Sequence, residues 1–379
     1  MTILFDLLGA QPNVVGSKYH GGGEYSKTVF KALVECISDQ IIIVFFDPDK
    51  FLDGWIVSLM QEKNIKVYHI KQYLELKEIF NIEKIDVYFS GMPYADIENV
   101  IPDNVRKIGT FHGLRSVECP TDIFEYKYKK GIKALKAVVK PLFREKLRKK
   151  ALLSYEKSMR SYDDIVCVSN HTKYAMANFC PELKKRPSVF YTPAKYLENY
   201  IDNDVPMVKD KYILLLGLNR WEKNGCRGIA AIEGLIDKGL LRDYRVVTIG
   251  EIPEKVQKVI KHKEYYVSYG YVEPKELENL YANCDFFLYP SLNEGFGMPP
   301  LEAMRYGKTC IVSGVCSLPE VCGDAAYYCN PYDIEEIQNR ILMACEKKID
   351  ENKVLQHFQK ILNRQNEDLL ALCHYILGT

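Results

Sequence analysis

Two glutamates and two glycines lie close together at the transition from an apolar run to a helical pattern. The segment Pro290–Glu302 reads PSLNEGFGMPPLE and follows the strand-like run Phe286–Tyr289. Its glycines lack a Cβ atom, so backbone N–H groups there can approach a ligand, and its two prolines suit the first turn of a helix. Because carboxylates accept several hydrogen bonds, Glu294 and Glu302 could each hold a pair of hydroxyl groups on one extended ligand. Two solvated acids on a capped surface turn are the alternative.

Two cations follow a second apolar run. After Tyr212–Leu216 the chain reads Gly217-Leu-Asn-Arg220-Trp-Glu-Lys223-Asn. A planar guanidinium, a mobile ammonium and the N–H groups of a helix start together suit a diphosphate. The alternative interpretation is a surface helix start in which Glu222 neutralises a neighbouring cation.

These two segments resemble the signature motifs of retaining family-4 glycosyltransferases of the GT-B fold. The matching features are Glu-x7-Glu around Gly-Phe-Gly and, about 74 residues earlier, Arg-x-x-Lys-Asn. The resemblance implies that Glu294 contacts hydroxyl groups of the donor sugar and that Glu302 binds the ribose of the nucleotide. It also implies a nucleobase pocket at Tyr271 and Val272, although these two residues could equally belong to the core.

Residues of the first half complete the expected site. His112 follows the run Lys107–Phe111, at the carboxyl end of a strand where open α/β sheets bind ligands, and the resemblance places it near the donor sugar and the reacting carbon. Ser169 and Asn170 follow another strand; we expect them either to contact the acceptor or phosphates, or to cap the next helix. The expected catalytic residues are His112, Arg220, Lys223 and Glu294. The expected donor-binding residues are Gly22, Gly23, Gly217, Tyr271, Val272, Gly295, Phe296, Gly297, Met298 and Glu302.

A glycine-rich stretch lies between the first apolar run and the first helical pattern. Gly16 and Gly21–Gly23 predict a loop that leads to a helix start at Glu24. Three consecutive glycines are conformationally costly, so we expect a reason for them, such as a phosphate or an acceptor facing the loop. Their spacing matches neither a dinucleotide fingerprint nor a Walker loop.

Composition excludes several classes of protein. The hydrophobic content is 47% and the charged content 27%, typical of a globular chain. Lys plus Arg (51) nearly equals Asp plus Glu (50), so no global field favours nucleic acid. The twelve cysteines are scattered without metal-ligand spacing, which predicts buried thiols in a reducing compartment. We see no signal peptide and no apolar run of about 18 residues, so we expect a cytoplasmic protein.

Short apolar runs alternate with helix-length segments along the whole chain. Such runs indicate buried parallel strands, and they predict two Rossmann-like α/β domains. We place the domains at residues 1–200, on the acceptor side, and 201–355, on the nucleotide-sugar side, with a linker near residue 200. The resemblance implies the GT-B arrangement, in which the two domains face each other across a cleft and a C-terminal helix, residues 356–379, packs back on the first domain.

One segment carries most of the local charge. Lys127–Lys150 contains eleven cations and one acid, a net charge of 11 − 1 = +10. Ile132, Leu135, Val139 and Leu142 recur at helical spacing beside a basic stripe, and Pro141 should break the helix. A basic amphipathic helix is typical of a membrane-surface element, so we expect peripheral contact with an anionic membrane. A solvated face is the alternative.

Together with the resemblance, these patterns predict a glycosyltransferase that uses a nucleotide-diphosphate sugar. The resemblance implies that the transfer retains the configuration of the sugar. Arg220 and Lys223 would stabilise the charge growing on the leaving diphosphate, and we expect the ligand to be the main partner of both. No cofactor and no metal are expected. The expected acceptor is a glycan, in particular one linked to a polyprenyl lipid in bacterial surface polysaccharide synthesis. We expect no nucleic acid partner.

Three other functions remain open at this point. A metal-dependent transferase would need a functional Asp-x-Asp, and Asp47-Pro-Asp49 and Asp202-Asn-Asp204 match in letters but look incidental. A sugar-nucleotide epimerase on the same fold would use carboxylates without an acceptor. A catalytically silent partner protein should have lost the charged residues, which this chain retains.

Overall fold

The computed structural model describes residues 1–12, 20–37, 39–183, 185–195 and 205–379. Thirteen strands are found in these ranges: β1 Thr2–Asp6, β2 Ile41–Phe46, β3 Lys66–His69, β4 Val87–Ser90, β5 Arg106–Phe111, β6 Asp164–Cys167, β7 Ser188–Val189, β8 Tyr212–Leu216, β9 Arg245–Ile249, β10 Tyr266–Tyr269, β11 Phe286–Tyr289, β12 Thr309–Ser313 and β13 Ala326–Cys329.

Fourteen α-helices lie in the same described ranges: α1 Gly21–Cys36, α2 Gly54–Glu62, α3 Leu76–Ile82, α4 Arg115–Glu118, α5 Gly131–Val139, α6 Arg144–Arg160, α7 Asn170–Phe179, α8 Gly225–Asp237, α9 Glu254–Gln257, α10 Pro274–Asn283, α11 Met298–Met304, α12 Leu318–Cys322, α13 Ile334–Glu346 and α14 Glu351–Leu377. Short 3₁₀ turns occur at Tyr73–Glu75, Glu125–Tyr128, Lys140–Phe143, Trp221–Lys223 and Lys263–Tyr265.

The strands form two separate, entirely parallel sheets. The first has the order β3-β2-β1-β4-β5-β6-β7, and the second has the order β10-β9-β8-β11-β12-β13. Each sheet is the centre of one compact unit. The first unit comprises Met1–Leu114, Leu152–Tyr196 and Leu362–Thr379, and the second comprises Arg115–Ala151 and Leu197–Ile361. The two predicted α/β domains with parallel sheets are therefore confirmed.

Both sheets are buried because their strands are almost continuously apolar. An interior strand of the first sheet, β1, buries Ile3, Leu4 and Phe5 completely. In the second sheet β11 is buried at all four positions, Phe286 to Tyr289. Covering both faces of a parallel sheet requires helices on each side, which is why helices alternate with strands along the chain.

The end of the C-terminal helix, from Leu362, belongs to the first unit. Within that unit Gln365 Nε2 donates to the carbonyl of Thr192 over 2.5 Å, and the N–H of Tyr191 donates to Asp368 over 2.9 Å. Arg106 donates to the carbonyl of Tyr375 over 3.0 Å. These hydrogen bonds fix residues 362–379 against a strand and a loop of the first unit. The predicted domain boundary near residue 200 lies outside the described residues.

The glycine-rich stretch is helical where a loop was predicted. Helix α1 begins at Gly21, and the side chain of His20 caps it by accepting a hydrogen bond from the N–H of Gly23 over 3.0 Å. A Cβ atom at Gly22 would lie 2.1 Å from Met92 Sδ, and one at Gly23 would lie 2.5 Å from the carbonyl oxygen of Ala10. Close packing of the first helical turn therefore explains both glycines. Gly16 lies outside the described residues.

Other expectations about the chain agree with the structure. All twelve cysteines are free, and nine of them are buried, as the scattered pattern predicted. The helical segment around Pro141 is interrupted, because α5 ends at Val139 and a 3₁₀ turn precedes α6.

Among the described residues, no helix combines the length and the apolar character that crossing a bilayer requires. Asp202 and Asp204 lie outside the described residues.

Candidate functional site

The two motifs of the second unit meet at one point of its sheet. Strands β8 and β11 are neighbours, with β9 and β10 on one side and β12 and β13 on the other, so the strand order reverses between them. The loop after β8 carries Arg220 and Lys223, and the loop after β11 carries Glu294. Open parallel sheets bind ligands at such a reversal, beyond the carboxyl ends of the strands.

A buried ion pair forms the centre of the site. Lys223 Nζ lies 2.6 Å from Glu294 Oε1, and the two side chains are only 12% and 9% exposed. The hydroxyl of Tyr289 accepts from Lys223 over 2.5 Å and donates to Glu294 over 2.8 Å, while Ser291 donates to the same carboxylate oxygen over 2.5 Å. Three donors thus converge on one oxygen of Glu294.

These donors keep Glu294 ionised. Burial alone would raise the pKa of Glu294, but the charge of Lys223 and the hydrogen bonds from Lys223 and Ser291 outweigh burial and hold this pKa below its ordinary value. A buried carboxylate in this state accepts hydrogen bonds and donates none. Glu294 is therefore suited to fixing hydroxyl groups of a ligand.

Backbone geometry turns Lys223 towards Glu294. Gly217 has φ = +70°, and a Cβ atom there would lie 3.1 Å from Lys223 Cγ. Asn224 also has a left-handed backbone, with φ = +60°, and its side-chain amide donates to the carbonyls of Pro290 and Pro331 over 2.9 and 2.6 Å. Gly217 and Asn224 therefore shape the turn that presents Lys223.

Two arginines flank this centre and share one acid. Glu222 Oε1 accepts from Arg220 Nη2 over 2.9 Å and from Arg115 Nη1 over 2.8 Å. Burial would raise the pKa of Glu222, but Arg220 and Arg115 outweigh burial and hold it below the ordinary value. The pairing of Glu222 with Arg220, which was the alternative interpretation of this turn, is thus observed. Arg220 and Arg115 remain 44% and 43% exposed, so both guanidinium groups are also accessible to a ligand.

Arg115 was not singled out from the sequence. It lies 107 residues before Glu222 and opens α4. Its only signal was its position three residues after His112, beyond the end of β5. With Arg115 included, the site has three cations (Arg115, Arg220, Lys223) and two acids (Glu222, Glu294), a net charge of 3 − 2 = +1.

The side chain of a buried serine, Ser317, hydrogen-bonds to the backbone of the Gly-Phe-Gly loop. Ser317 Oγ lies 2.9 Å from the carbonyl oxygen of Glu294 and 2.8 Å from that of Phe296. Phe296 is buried, and Gly297 has φ = +108°, a conformation that favours glycine. A Cβ atom at Gly297 would also lie 2.7 Å from Leu318. Gly295 lies in the same loop, and Met298 opens α11.

Glu302 lies in α11, on the helix that follows this loop. It is half-buried, and the hydroxyl of Tyr281 donates to its Oε2 over 2.9 Å. Glu302 accepts from Tyr281 and Glu294 accepts from Tyr289, so the two acids of the motif have different hydrogen-bond partners. Their assignment to ribose and to sugar stays a prediction.

The predicted nucleobase residues lie between β10 and α10. Val272 is buried, whereas Tyr271 is 61% exposed. A cavity of about 380 Å³ opens at the carboxyl ends of β9 and β10, and its lining includes Gly250, Ile252 and Gly270. The chain therefore offers both a cavity and an exposed aromatic ring close to each other in sequence.

In the first unit His112 is half-buried and neutral. Burial lowers its pKa to about 4, although a hydrogen bond to the carbonyl of Gly91 opposes this. The distance from His112 Nε2 to that carbonyl oxygen is 2.8 Å. Because a carbonyl only accepts, Nε2 carries the proton and Nδ1 is the acceptor nitrogen. The ring also packs edge-on against Tyr25.

Ser169 has a structural role as a helix cap. Its hydroxyl oxygen accepts from the N–H of Thr172 over 3.1 Å and caps α7, which begins at Asn170. The helix-cap alternative is thus observed for Ser169. A contact of Ser169 or Asn170 with the acceptor stays a prediction.

Comparisons with known proteins agree with this fold. Residues 199–360 match the model of the family described as "Glycosyl transferases group 1". The serotype-specific mannosyltransferase WbdA of Escherichia coli is 32% identical over 154 residues, which cover 37% of this chain and 19% of that protein. O-antigen chain mannosyltransferase B of the same organism is 45% identical over 85 residues, 22% of each chain. The chain thus matches about a fifth of the length of these curated relatives.

Solved structures resemble the whole chain. A glycosyltransferase from Rickettsia africae ESF-5 has a TM-score of 0.65 at 16% identity, covering 99% of this chain and 98% of that one. Alr3699/HepE from Anabaena, solved with UDP and glucose, has a TM-score of 0.59 at 14% identity, covering 100% and 98%. These likenesses confirm the predicted GT-B fold class, and the predicted relationship to glycosyltransferases is confirmed by the family match. The similarity to the family described as glycosyl transferases group 1 extends over residues 199–360.

Proposed function

We propose that this protein transfers a hexose from a nucleotide-diphosphate sugar to a glycan and retains the anomeric configuration of the sugar. The observation that carries the proposal is the cluster of Arg115, Arg220, Lys223 and the ionised Glu294 at the strand reversal of the second sheet. Cations and an acceptor carboxylate side by side match a ligand in which a diphosphate adjoins a sugar. The family match of residues 199–360 supports the same conclusion.

The diphosphate is the proposed ligand of the cations. Negative charge grows on it as the glycosidic bond breaks, and positive groups already fixed in place stabilise that charge without reorganising. Lys223 is held in position by Glu294 and Tyr289. Arg220 and Arg115 share Glu222 and are partly exposed, so a phosphate can bind them in a bidentate manner.

Glu294 is proposed to anchor the donor sugar. The hydrogen bonds from Lys223, Tyr289 and Ser291 all go to one carboxylate oxygen, Oε1. The other oxygen, Oε2, is the one proposed to accept from the sugar. Glu302, with Tyr281, is proposed to hold the ribose, and Tyr271 and Val272 are proposed to border the base. His112, with Nδ1 as acceptor, is proposed to contact a hydroxyl of the donor sugar.

No metal or cofactor is part of the proposal. Both acids of the cluster, Glu222 and Glu294, are already paired with protein cations. We expect transfer to continue in a chelator, because protein cations meet the diphosphate charge. Loss of activity in the chelator with rescue by magnesium or manganese would contradict this part.

The acceptor is proposed to be a glycan carried on a polyprenyl lipid, in bacterial surface polysaccharide synthesis. Two relatives are named as O-antigen chain mannosyltransferases, which supports this pathway and makes mannose the first sugar to test. We also propose that the protein works at the inner face of the cytoplasmic membrane and contacts anionic lipid through Lys127–Lys150. The net charge of +10 in this segment supports the contact.

Product analysis tests the proposal. The purified protein is incubated with a panel of nucleotide sugars and a lipid-linked glycan, and NMR follows the nucleoside diphosphate released and the anomeric configuration of the new glycoside. We expect release that depends on the acceptor, with retained configuration. An isomerised nucleotide sugar formed without acceptor would indicate an epimerase, an inverted product would refute retention, and no conversion by a protein that binds its nucleotide would indicate a silent partner.

A further inference from the structure

Helix α5 exposes its large apolar side chains, whereas an ordinary surface helix buries them. The residues that it buries are two alanines, Ala134 and Ala137. Six large apolar residues of α5 and the following 3₁₀ turn are instead exposed, with exposed fractions from 43% to 82%. They are Ile132, Leu135, Val138, Val139, Leu142 and Phe143. Surface helices normally bury their large apolar side chains, so an exposed apolar face of this kind indicates an interaction surface.

The exposed apolar face is bordered by cations. Within α5, Lys133 and Lys136 are exposed next to Ile132 and Leu135. Lys140, at the end of the helix, is different, because its ammonium pairs with the buried carboxylate of Glu125 over 2.5 Å. Lys140 therefore holds the helix to the unit, while Lys133 and Lys136 are available at the surface.

The segment that precedes α5 is bound to α8 of the second unit. Arg227 forms two hydrogen bonds to Asp122, of 3.1 and 2.9 Å, and both side chains are buried. The guanidinium of Arg227 also lies 4.5 Å from the centre of the Phe124 ring. The hydroxyl of Tyr128 accepts from the N–H of Cys226, in the first turn of α8, over 2.8 Å. The apolar face is therefore a fixed part of the second unit.

We propose that the apolar face of α5 and its following turn inserts into the boundary between headgroups and acyl chains of an anionic lipid bilayer. This inference deepens the proposed function and rests on its membrane contact: the cations bind lipid phosphates while the apolar side chains enter the hydrocarbon edge. A helix with one apolar and one basic side lies in the membrane plane in this way. Because α5 is anchored on the second unit, the surface that the bilayer meets belongs to the unit that carries the diphosphate site.

Charge distinguishes lipid from a second copy of the chain. A symmetric contact through this face would bring together two Lys127–Lys150 segments, each with a net charge of +10. Like charges at that density repel each other. Anionic headgroups complement the same charge, and each cation near such a surface contributes about 1 kcal/mol.

The test is sedimentation with vesicles of phosphatidylcholine alone or mixed with phosphatidylglycerol, at low and at high salt. The apolar variant is Ile132→Gln, Leu135→Gln and Leu142→Gln; the charge variant is Lys133→Gln, Lys136→Gln, Lys146→Gln and Lys149→Gln. The matched control changes three exposed apolar residues of the first unit, Leu74→Gln, Ile82→Gln and Leu370→Gln. Because all these side chains are exposed, thermal unfolding should be unchanged in every variant.

We expect the wild type and the control to bind anionic vesicles and to retain part of this binding at high salt, since insertion of apolar groups is not screened. The apolar variant should lose about tenfold or more in vesicle affinity, which corresponds to about 1.4 kcal/mol. The charge variant should lose its binding mainly at low salt. Unchanged vesicle binding by the apolar variant would overturn the inference, as would concentration-dependent dimers of the wild type that the apolar variant abolishes.

Nucleoside diphosphate affinity, measured by calorimetry on the same proteins, separates this inference from the proposed function. Intact nucleotide binding without vesicle binding refutes only the insertion of α5. If vesicle binding depends on the apolar residues but the protein binds no nucleotide, the proposed function is refuted and the insertion of α5 is still supported.

Discussion

Replacement of Lys223 by methionine should destabilise the second unit strongly. Sequence alone suggested that the ligand is the main partner of Lys223, but in the structure its ammonium lies 2.6 Å from Glu294 in buried surroundings. At an effective dielectric constant of about 20, two unit charges at that distance attract each other by roughly 6 kcal/mol before desolvation is subtracted. Removing one partner of a buried pair costs about 3–5 kcal/mol, because the other charge stays buried and unpaired.

The double variant Lys223→Met with Glu294→Gln should recover part of this loss, because no uncompensated charge remains. Trp221 lies in the same turn as Lys223, and the chain has one other tryptophan, Trp55, in the first unit. A Trp55→Phe background therefore makes fluorescence report the second unit during urea unfolding. Gln in place of Glu294 keeps the shape of the side chain, so the cycle isolates the charges.

A small effect of Lys223→Met would refute this role of the ion pair. If Lys223→Met lowers the unfolding free energy by less than about 1 kcal/mol, and the double variant is no more stable than the single one, the pair does not hold the site together. Lys223 would then be a ligand-facing cation whose contact with Glu294 contributes little to stability.

Three further predictions concern other residues of the site. Glu302→Ala should weaken nucleotide binding tenfold to a hundredfold in calorimetry, because the ribose hydroxyls lose a charge-assisted partner worth roughly 1.5–3 kcal/mol; unchanged affinity would refute the ribose assignment. Arg115→Gln should lower turnover while leaving the melting temperature nearly unchanged, since its side chain is 43% exposed, and full turnover would remove Arg115 from the site. The pKa of His112 is lowered to about 4, below its unfolded value of about 6.5, so its stabilising contribution is full above pH 6.5 and is lost as the pH falls towards 4; His112→Gln should flatten this dependence in urea unfolding between pH 7 and 5, and an identical pH dependence would contradict it.

Most of the strands were predictable because they are buried and parallel. Strands β8 and β11 have the predicted bounds, Tyr212–Leu216 and Phe286–Tyr289, since continuous apolar residues mark them in the sequence. Strand β3 was missed because it is short, lies at the edge of its sheet and buries none of its side chains fully. Strand β7, at the opposite edge, has only two residues and leaves no pattern.

The candidate site was predictable only where its residues share a motif. Arg220, Lys223 and Glu294 stand in recognisable patterns, and the strand order brings their two loops together. Arg115 and Ser317 act through partners far away in sequence, 107 and 23 residues respectively, and no local pattern encodes such contacts.

Helix α5 shows the same limit for a surface. Its period was readable, because apolar residues recur at helical spacing. Which side faces the protein was not readable, because the buried side consists of Ala134 and Ala137 and the larger apolar residues lie outside. Periodicity identifies an apolar face, but only tertiary packing shows what covers it.

Calorimetric titration of nucleoside diphosphates tests the central claim most directly. The panel comprises the diphosphates of uridine, guanosine, adenosine and thymidine, titrated into the wild type and into Arg220→Gln, whose side chain is exposed enough for the variant to fold. We expect one base to bind best, its unphosphorylated nucleoside to bind much more weakly, and Arg220→Gln to lose about tenfold or more in affinity for the diphosphate. Absence of binding by every member of the panel, or equal affinity of the wild type and Arg220→Gln, would contradict a diphosphate site at the strand reversal of the second sheet.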